Sequence, residues 1–188
     1  LLLAGCAGPN VRVAEDYPGW AEHSAELRLL ERWQIEGKLA LRSPEQAESA
    51  SRRWQQQGAS THLSLTGPLG VNATTIHSDG RLLEIQQGDQ NSRWDLSDPA
   101  LLASKTGWDL PLKSLPTWVL GIPYADAAAT DLQIENDLVQ HFTEDGWQIH
   151  YERYDQFGLY TLPTRMSIER GDTRARIIMY DWSVSQHR

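Results

Sequence analysis

The sequence predicts a mainly β fold: an incomplete (open) antiparallel β-barrel of about eleven strands, covered by a few short helices and enclosing an apolar cavity. Apolar and polar residues alternate with a period of two through most of the chain beyond residue 33. Turn residues break this alternation at the spacing of roughly 8 to 12 residues that is typical of antiparallel domains. A sheet of so many strands tends to curl or close, and this favours the barrel-like form.

The first element is an amphipathic helix, which the sequence predicts over residues 20–31. Trp20, Leu27 and Leu30 recur there at helical spacing, with glutamates and an arginine between them. The strands follow, predicted over residues 34–42, 48–56, 61–66, 72–77, 82–87, 93–95, 132–135, 138–144, 148–154, 163–169 and 174–182.

Four hairpin turns are predicted between these strands because Gly adopts positive φ at little cost and Asp and Asn tolerate it. They lie at Asp79-Gly80, Glu135-Asn136-Asp137, Asp145-Gly146 and Gly171-Asp172.

The alternation is interrupted once, over residues 99–121, where leucines and tryptophans supply more apolar surface than a loop needs. Two short helices fit this stretch, over residues 98–106 and 112–120. Asp98 offers an N-cap and Pro99 a first helical residue, whereas Pro116 makes the start of the second helix irregular. We expect both helices to cover the mouth of the curved sheet.

The net charge argues against a nucleic acid as a partner, and the hydropathy argues against a membrane-spanning helix. The 188 residues carry a formal net charge of -8, and their basic side chains form no stripe, so a nucleic acid is not expected as a partner. The mean hydropathy is -0.51, and no apolar run approaches the roughly 20 residues of a spanning helix. A membrane attachment would therefore be covalent or superficial. Separately, we expect the protein to be a monomer.

The single cysteine, Cys6, follows Leu3-Ala4-Gly5, which matches the lipobox of bacterial lipoproteins. This resemblance implies cleavage before Cys6 and acylation of that residue, which becomes the lipid anchor. The alternative is an unmodified cysteine. We therefore expect residues 1–5 to be the remnant of a signal peptide, 6–19 a lipidated flexible tether, and 20–188 a single domain.

No catalytic or metal-binding pattern stands out. The six histidines show no metal-ligand spacing, and the sequence contains neither a nucleophile elbow nor a phosphate-binding glycine loop. His62 and Ser64 alternate on one strand face, but such a pair is common by chance. The sequence predicts neither a metal, a cofactor nor an enzyme.

The high number of tryptophans and the loop around Leu69 are the most informative features of the sequence. Eight tryptophans accompany only two phenylalanines, and indole rings suit a wide cavity as well as an ordinary core. Leu69 lies between Pro68 and Gly70 in a turn, where its side chain either protrudes towards a membrane or partner or folds back onto the sheet.

Several motifs resemble the LolB family of outer-membrane lipoprotein receptors. They are the lipobox at Cys6, Trp54-Gln55-Gln56, the loop over residues 65–70, residues 111–115 leading into 118–123, Trp147, and Asp181-Trp182. The loop together with residues 118–123 makes the resemblance specific, although Gly67 and residues 183–188 depart from it.

The resemblance implies an activity and its partners. The chain would accept acylated lipoproteins from the periplasmic carrier LolA and insert them into the inner leaflet of the outer membrane, without nucleotide hydrolysis. Phospholipid of that membrane would be a further partner, and the anchored protein would face the periplasm. Leu69 would be the protruding leucine that promotes insertion of the substrate.

Acyl chains would occupy a cavity that one face of the curved sheet lines, since apolar surfaces bind by area rather than by directional bonds. Alternation does not reveal which face is inside. The candidates for the lining are Leu39, Leu41, Trp54, Leu63, Leu65, Ile76, Ile85, Trp118, Trp147, Ile149, Ile168 and Ile177.

Two other functions compete with this one. A lipid-anchored periplasmic protein that binds a hydrophobic small molecule would share the cavity and would not need Leu69. A lipoprotein hydrolase would need a group of titrating residues in the pocket, and Glu36, Asp95 and His141 do not evidently form one.

Overall fold

The computed structural model describes residues 17–44, 47–67, 73–97, 111–124 and 129–185. Two helices, α1 (Pro18–Arg28) and α2 (Leu115–Trp118), accompany eleven strands in the described chain. The strands are β1 (Arg32–Arg42), β2 (Ala47–Gln57), β3 (Ser60–Thr66), β4 (Thr74–Ser78), β5 (Leu82–Gln87), β6 (Gln90–Asp95), β7 (Thr130–Glu135), β8 (Leu138–Glu144), β9 (Trp147–Phe157), β10 (Tyr160–Arg170) and β11 (Thr173–Val184).

All eleven strands form one antiparallel sheet in the order β6-β5-β4-β3-β2-β1-β11-β10-β9-β8-β7. Each strand pairs with its neighbour in sequence, except that β1 pairs with β11 and so joins the first six strands to the last five. The edge strands β6 and β7 do not pair with each other, so the sheet is open. The predicted open antiparallel sheet of about eleven strands is confirmed.

A bulge bends the central strand β1. The register between β1 and β11 shifts between Glu36 and Gly37. A Cβ atom on Gly37 would lie 1.9 Å from the carbonyl oxygen of Ile178, so no other residue fits without a shift of the backbone. Bulges increase the local twist of a sheet, and this one lies beside the pairing that joins its two halves.

The core lies on the inward face of the sheet. Trp33 packs against Trp54 and Trp182, with ring centroids 5.2 and 5.6 Å apart. The indole nitrogen of Trp182 donates a hydrogen bond of 2.9 Å to the carbonyl oxygen of Pro163. Helix α1 covers one part of this core with its buried residues Trp20 and Leu27.

The predicted boundaries were less accurate than the predicted elements. The first helix ends at Arg28 rather than at residue 31, because the amides of Leu29 and Leu30 donate to carbonyls three residues back, as in a closing turn, rather than four. Strand β10 begins at Tyr160, three residues before the prediction, because a register shift accommodates Pro163 inside the strand. The predicted helix 98–106 lies outside the described residues.

The second predicted helix, 112–120, is shorter than expected. Only Leu115–Trp118 is α-helical, and turns flank it on both sides. The four predicted hairpin turns are present, with positive φ at Gly80, Asn136, Asp137, Gly146 and Gly171.

Replacement of Gly37 tests the role of the bulge. We expect Gly37→Ala to lower the free energy of unfolding by roughly 1–3 kcal/mol, because the added methyl group collides with a backbone carbonyl that cannot move freely. Chemical denaturation measures this change. Ser49→Ala on the exposed face of β2 is the control and should stay within about 0.5 kcal/mol of the unsubstituted chain. Equal stabilities of the two variants would show that the bulge is not a constraint.

Candidate functional site

An apolar cleft lies against the inward face of the sheet. Alternate residues of β1 to β4 and of β10 and β11 point into it. The described residues that line it are Leu39, Leu41, Glu48, Ala50, Arg52, Trp54, Leu63, Leu65, Ile76, Leu112, Leu115, Ile168, Ala175 and Ile177. Twelve of these fourteen are apolar, so the cleft favours hydrocarbon over polar ligands.

A second pocket continues the cleft towards the β2–β3 and β4–β5 turns. Its volume is about 320 Å³, against about 70 Å³ for the first pocket. The two share Trp54, Leu63, Ile76, Leu112 and Leu115. Ligand pockets in proteins usually measure roughly 300–1,000 Å³. The second pocket reaches this range, whereas the first is nearly filled by its own side chains.

The segment from Leu112 to Leu115 forms the boundary between the two pockets. Both leucines line both pockets, so their position decides how much of the cleft is continuous. The peptide amide groups of Ser114 and Leu115 each donate to the carbonyl of Pro111, at 2.9 and 3.0 Å. The segment is therefore a tight turn that presents two apolar side chains to the sheet.

Trp118 anchors this segment to the second half of the sheet. Its indole nitrogen donates a 2.6 Å hydrogen bond to Oε2 of Glu144, and its carbonyl oxygen accepts a 2.7 Å bond from the hydroxyl of Tyr151. Trp118 and Tyr151 are buried. Because burial raises the pKa of Tyr151 well above its usual value, its hydroxyl remains a neutral donor.

Glu144 is a buried carboxyl group with incomplete hydrogen bonding. Its side chain is 1% exposed, and Oε2 also accepts a 3.0 Å bond from the amide of Tyr124. Oε1 has no hydrogen-bond partner in the described chain. Burial raises the pKa of Glu144 above its usual value, and the two hydrogen bonds partly oppose this shift.

Eight of the twelve predicted lining residues meet in the cleft. They are Leu39, Leu41, Trp54, Leu63, Leu65, Ile76, Ile168 and Ile177. The other four lie elsewhere: Trp118, Trp147 and Ile149 are buried in the main core, and Ile85 packs against a smaller cluster of Ile76, Leu83 and Leu96.

Sequence reasoning missed six residues of the lining. Glu48, Ala50, Arg52 and Ala175 lie at inward positions of β2 and β11 but are charged or small, and a search for large apolar side chains passes over them. Leu112 and Leu115 belong to the irregular segment. Strict alternation along β2, starting from Trp54, would have identified Ala50 and Arg52.

Two of the predicted residues cannot be placed. Cys6 and Leu69 lie outside the described residues. The segment that contains Leu69 connects β3 to β4, two of the strands that line the cleft.

The residues considered for hydrolysis do not line the cleft. His62 is exposed on the outward face of β3, where it pairs with His77 of β4. Glu36, Asp95 and His141 belong to β1, β6 and β8, and they line neither of the two pockets. Among the described residues, no three histidine, cysteine or acidic side chains are grouped to hold a metal ion. No helix in this part of the chain is long and apolar enough to cross a membrane.

Two solved structures illustrate the likeness of fold. A LolA superfamily protein from Nitrosomonas europaea superposes with a TM-score of 0.53 at 12% identity and covers 92% of this chain and 94% of its own. A putative outer membrane lipoprotein-sorting protein domain from Vibrio parahaemolyticus gives 0.51 at 8% identity, covering 91% and 93%. The protein thus shares the overall fold of these two structures.

Sequence comparison identifies the family. The family model for "Outer membrane lipoprotein LolB" matches residues 31–182. The outer-membrane lipoprotein LolB of Stutzerimonas stutzeri is 31% identical in an alignment of 192 residues that covers 99% of this chain and 92% of the relative. That of Pseudomonas putida is 34% identical over 193 residues, covering 98% and 92%. The chain belongs to the LolB family of outer-membrane lipoproteins, and this places it at the outer membrane and in lipoprotein localisation.

Protonation of Glu144 should affect stability. Since the pKa of Glu144 is raised in the folded state, the folded protein holds more protons than the unfolded chain just above pH 4.5, the usual value for this group. The free energy of unfolding should therefore fall as the pH rises through that window. We expect Glu144→Gln to weaken this decline, measured by denaturation across the pH range. Glu22→Gln, on an exposed part of α1, is the control. An unchanged pH dependence in Glu144→Gln would contradict the assignment.

Proposed function

We propose that the protein is a receptor that accepts acylated lipoproteins from the periplasmic carrier LolA and inserts them into the inner leaflet of the outer membrane. The observation that supports this role best is the apolar cleft on the inward face of an open sheet. It offers acyl chains a surface of leucine, isoleucine and tryptophan side chains, and hydrocarbon binds such a surface in proportion to the area it buries.

The sheet is open, so closure of a barrel does not fix the size of the cleft. A closed barrel would fix its internal volume by strand number, whereas the two halves of this sheet meet only through β1 and β11. The first pocket of the cleft is almost filled by its own side chains, whereas the second has a volume of about 320 Å³. We infer that Leu112 and Leu115 move away from the sheet when cargo enters, because these side chains separate the two pockets.

Transfer through such a cleft requires a gradient of affinity. Acyl chains leave a carrier only for a site that holds them at least as favourably, and they then leave this site for the more apolar bilayer. A cleft that must displace its own side chains to admit cargo holds that cargo less tightly than a preformed cavity. This suits a protein that passes its cargo on.

The lipid anchor at Cys6 and the loop that contains Leu69 supply the remaining steps of the proposed function. An acylated Cys6 would hold the protein at the periplasmic face of the membrane, since each buried CH₂ group contributes about 0.8 kcal/mol. Leu69 would then enter the bilayer and promote release of the substrate. A monomer suffices for these steps, and neither a cofactor nor a nucleotide is required.

Transfer of cargo tests acceptance directly. A soluble full chain carrying Cys6→Ala is incubated with purified LolA that holds a labelled lipoprotein, and the two proteins are then separated. We expect the label to move onto this chain. A label that stays with the carrier, while this chain is folded, would favour the binding of a hydrophobic small molecule instead.

A matched pair of variants tests whether the cleft holds the label. Ala50→Phe places a phenyl ring in the cleft, whereas Ser49→Phe places the same ring on the outward face of β2. We expect transfer to fall by roughly tenfold in the first variant, because its ring competes for the space of the acyl chain, and to remain unchanged in the second. Equal transfer of the label to the two variants would indicate that the acyl chains bind outside the cleft.

The last step, insertion, is tested at Leu69. We expect Leu69→Glu to accept lipoprotein from the carrier normally and to release it poorly into membranes, because a carboxylate resists entry into the bilayer. Incorporation of labelled lipoprotein into outer-membrane phospholipid vesicles measures this step, with Leu69→Ile as the apolar control. Normal incorporation by the glutamate variant would remove Leu69 from the mechanism.

A further inference from the structure

Arg52 is a buried cation inside the apolar cleft. It lies at an inward position of β2, two residues before Trp54, and is 5% exposed. Its cross-strand neighbours are Gly37 in β1 and Leu65 in β3. Because Gly37 has no side chain, the carbonyl oxygen of Ile178 comes close to this position, and it accepts a hydrogen bond from Arg52.

Two of the three guanidinium nitrogens of Arg52 have no partner among the described residues. Its single hydrogen bond is a long one of 3.4 Å, donated by Nη2 to the carbonyl oxygen of Ile178, while Nε and Nη1 have no hydrogen-bond partner in the described chain. No carboxylate lies within 4 Å in the described ranges, and the other charged residue of the lining, Glu48, is exposed at its rim. Burial lowers the pKa of Arg52 to about 9, so it is charged at neutral pH.

Arg53, the next residue of β2, has the surroundings that are usual for an arginine. Arg53 points outward, and its Nη2 lies 2.8 Å from Oε1 of Glu36 in an exposed ion pair. An unpaired charge costs several kcal/mol when it is buried and little at the surface. Arg52 therefore carries a penalty that the folded chain does not offset with its own groups, and a bound anion would offset it.

We propose that Arg52 binds the carboxylate of a fatty acid whose hydrocarbon chain occupies the cleft. The inference rests on the proposed binding of acyl chains in this cleft and adds an anionic ligand to it. A carboxylate can accept one hydrogen bond from a free donor, Nε or Nη1, and a second from the remaining N–H of Nη2, and the apolar residues of the cleft match the hydrocarbon chain. An ester carbonyl would satisfy a donor but would leave the buried charge uncompensated.

A comparison of an acid with its methyl ester tests the proposal. The polyene fatty acid cis-parinaric acid and its methyl ester serve as fluorescent probes for the soluble full chain with Cys6→Ala. We expect the acid to bind at least about tenfold more tightly than the ester, since hydrogen bonds to charged groups are the stronger ones. In Arg52→Met, the affinity for the acid should fall by roughly the same factor, and that for the ester should stay within about twofold.

Two further variants control for charge and folding. Arg53→Met removes an adjacent arginine from the outer face and should keep the preference for the acid, and Arg52→Lys should keep part of it. Arg52→Met removes a buried unpaired charge, so this variant should be at least as stable as the unsubstituted chain. Equal binding of acid and ester by the unsubstituted cleft, or an undiminished preference in Arg52→Met, would overturn the proposal and leave acyl binding intact. Failure of both probes to bind would overturn the fatty-acid proposal as well as the proposed binding of acyl chains in the cleft.

Discussion

The pairing of β1 with β11 joins two meanders into one sheet, and the cleft depends on it. Without this pairing, the first six strands and the last five would share no hydrogen-bonded edge. The bulge at Gly37 lies within the same pairing, where the carbonyl of Ile178 fills the space of a side chain. The bend of β1 and the position of Arg52 opposite Gly37 therefore share one cause: a residue without a side chain at the centre of the sheet.

The cleft lies between the sheet and a covering segment. The sheet beneath it is held by strand pairing along β1, β2, β10 and β11, whereas the covering segment with Leu112 and Leu115 has little regular structure of its own. Trp118 fixes one end of this segment through Glu144 and Tyr151. A cover anchored at one end and bound elsewhere by apolar contact suits a protein that must take up hydrocarbon and then release it.

Two buried charged groups stand out against this apolar interior. Glu144 accepts two hydrogen bonds and so has a structural role, since it holds the anchor of the cover. Among the described residues, Arg52 has one long hydrogen bond and no ion pair, and it lines the cleft, so its surroundings differ from those of Glu144. The contrast indicates that the chain keeps the first group for architecture and the second for a ligand, because an uncompensated charge is the less favourable of the two.

The sequence by itself determined the class of fold, the eleven strands, four of the turns between them and the family. These features follow from local rules: period-two alternation, positive φ at Gly, Asn and Asp, and short motifs that the LolB family shares. Alternation also grouped eight of the lining residues, but only tertiary structure decided that Trp118, Trp147 and Ile149 pack in the core. It also revealed Arg52 and the covering leucines as parts of the cleft. The inner face of a sheet depends on long-range pairing and curvature, which no local pattern specifies.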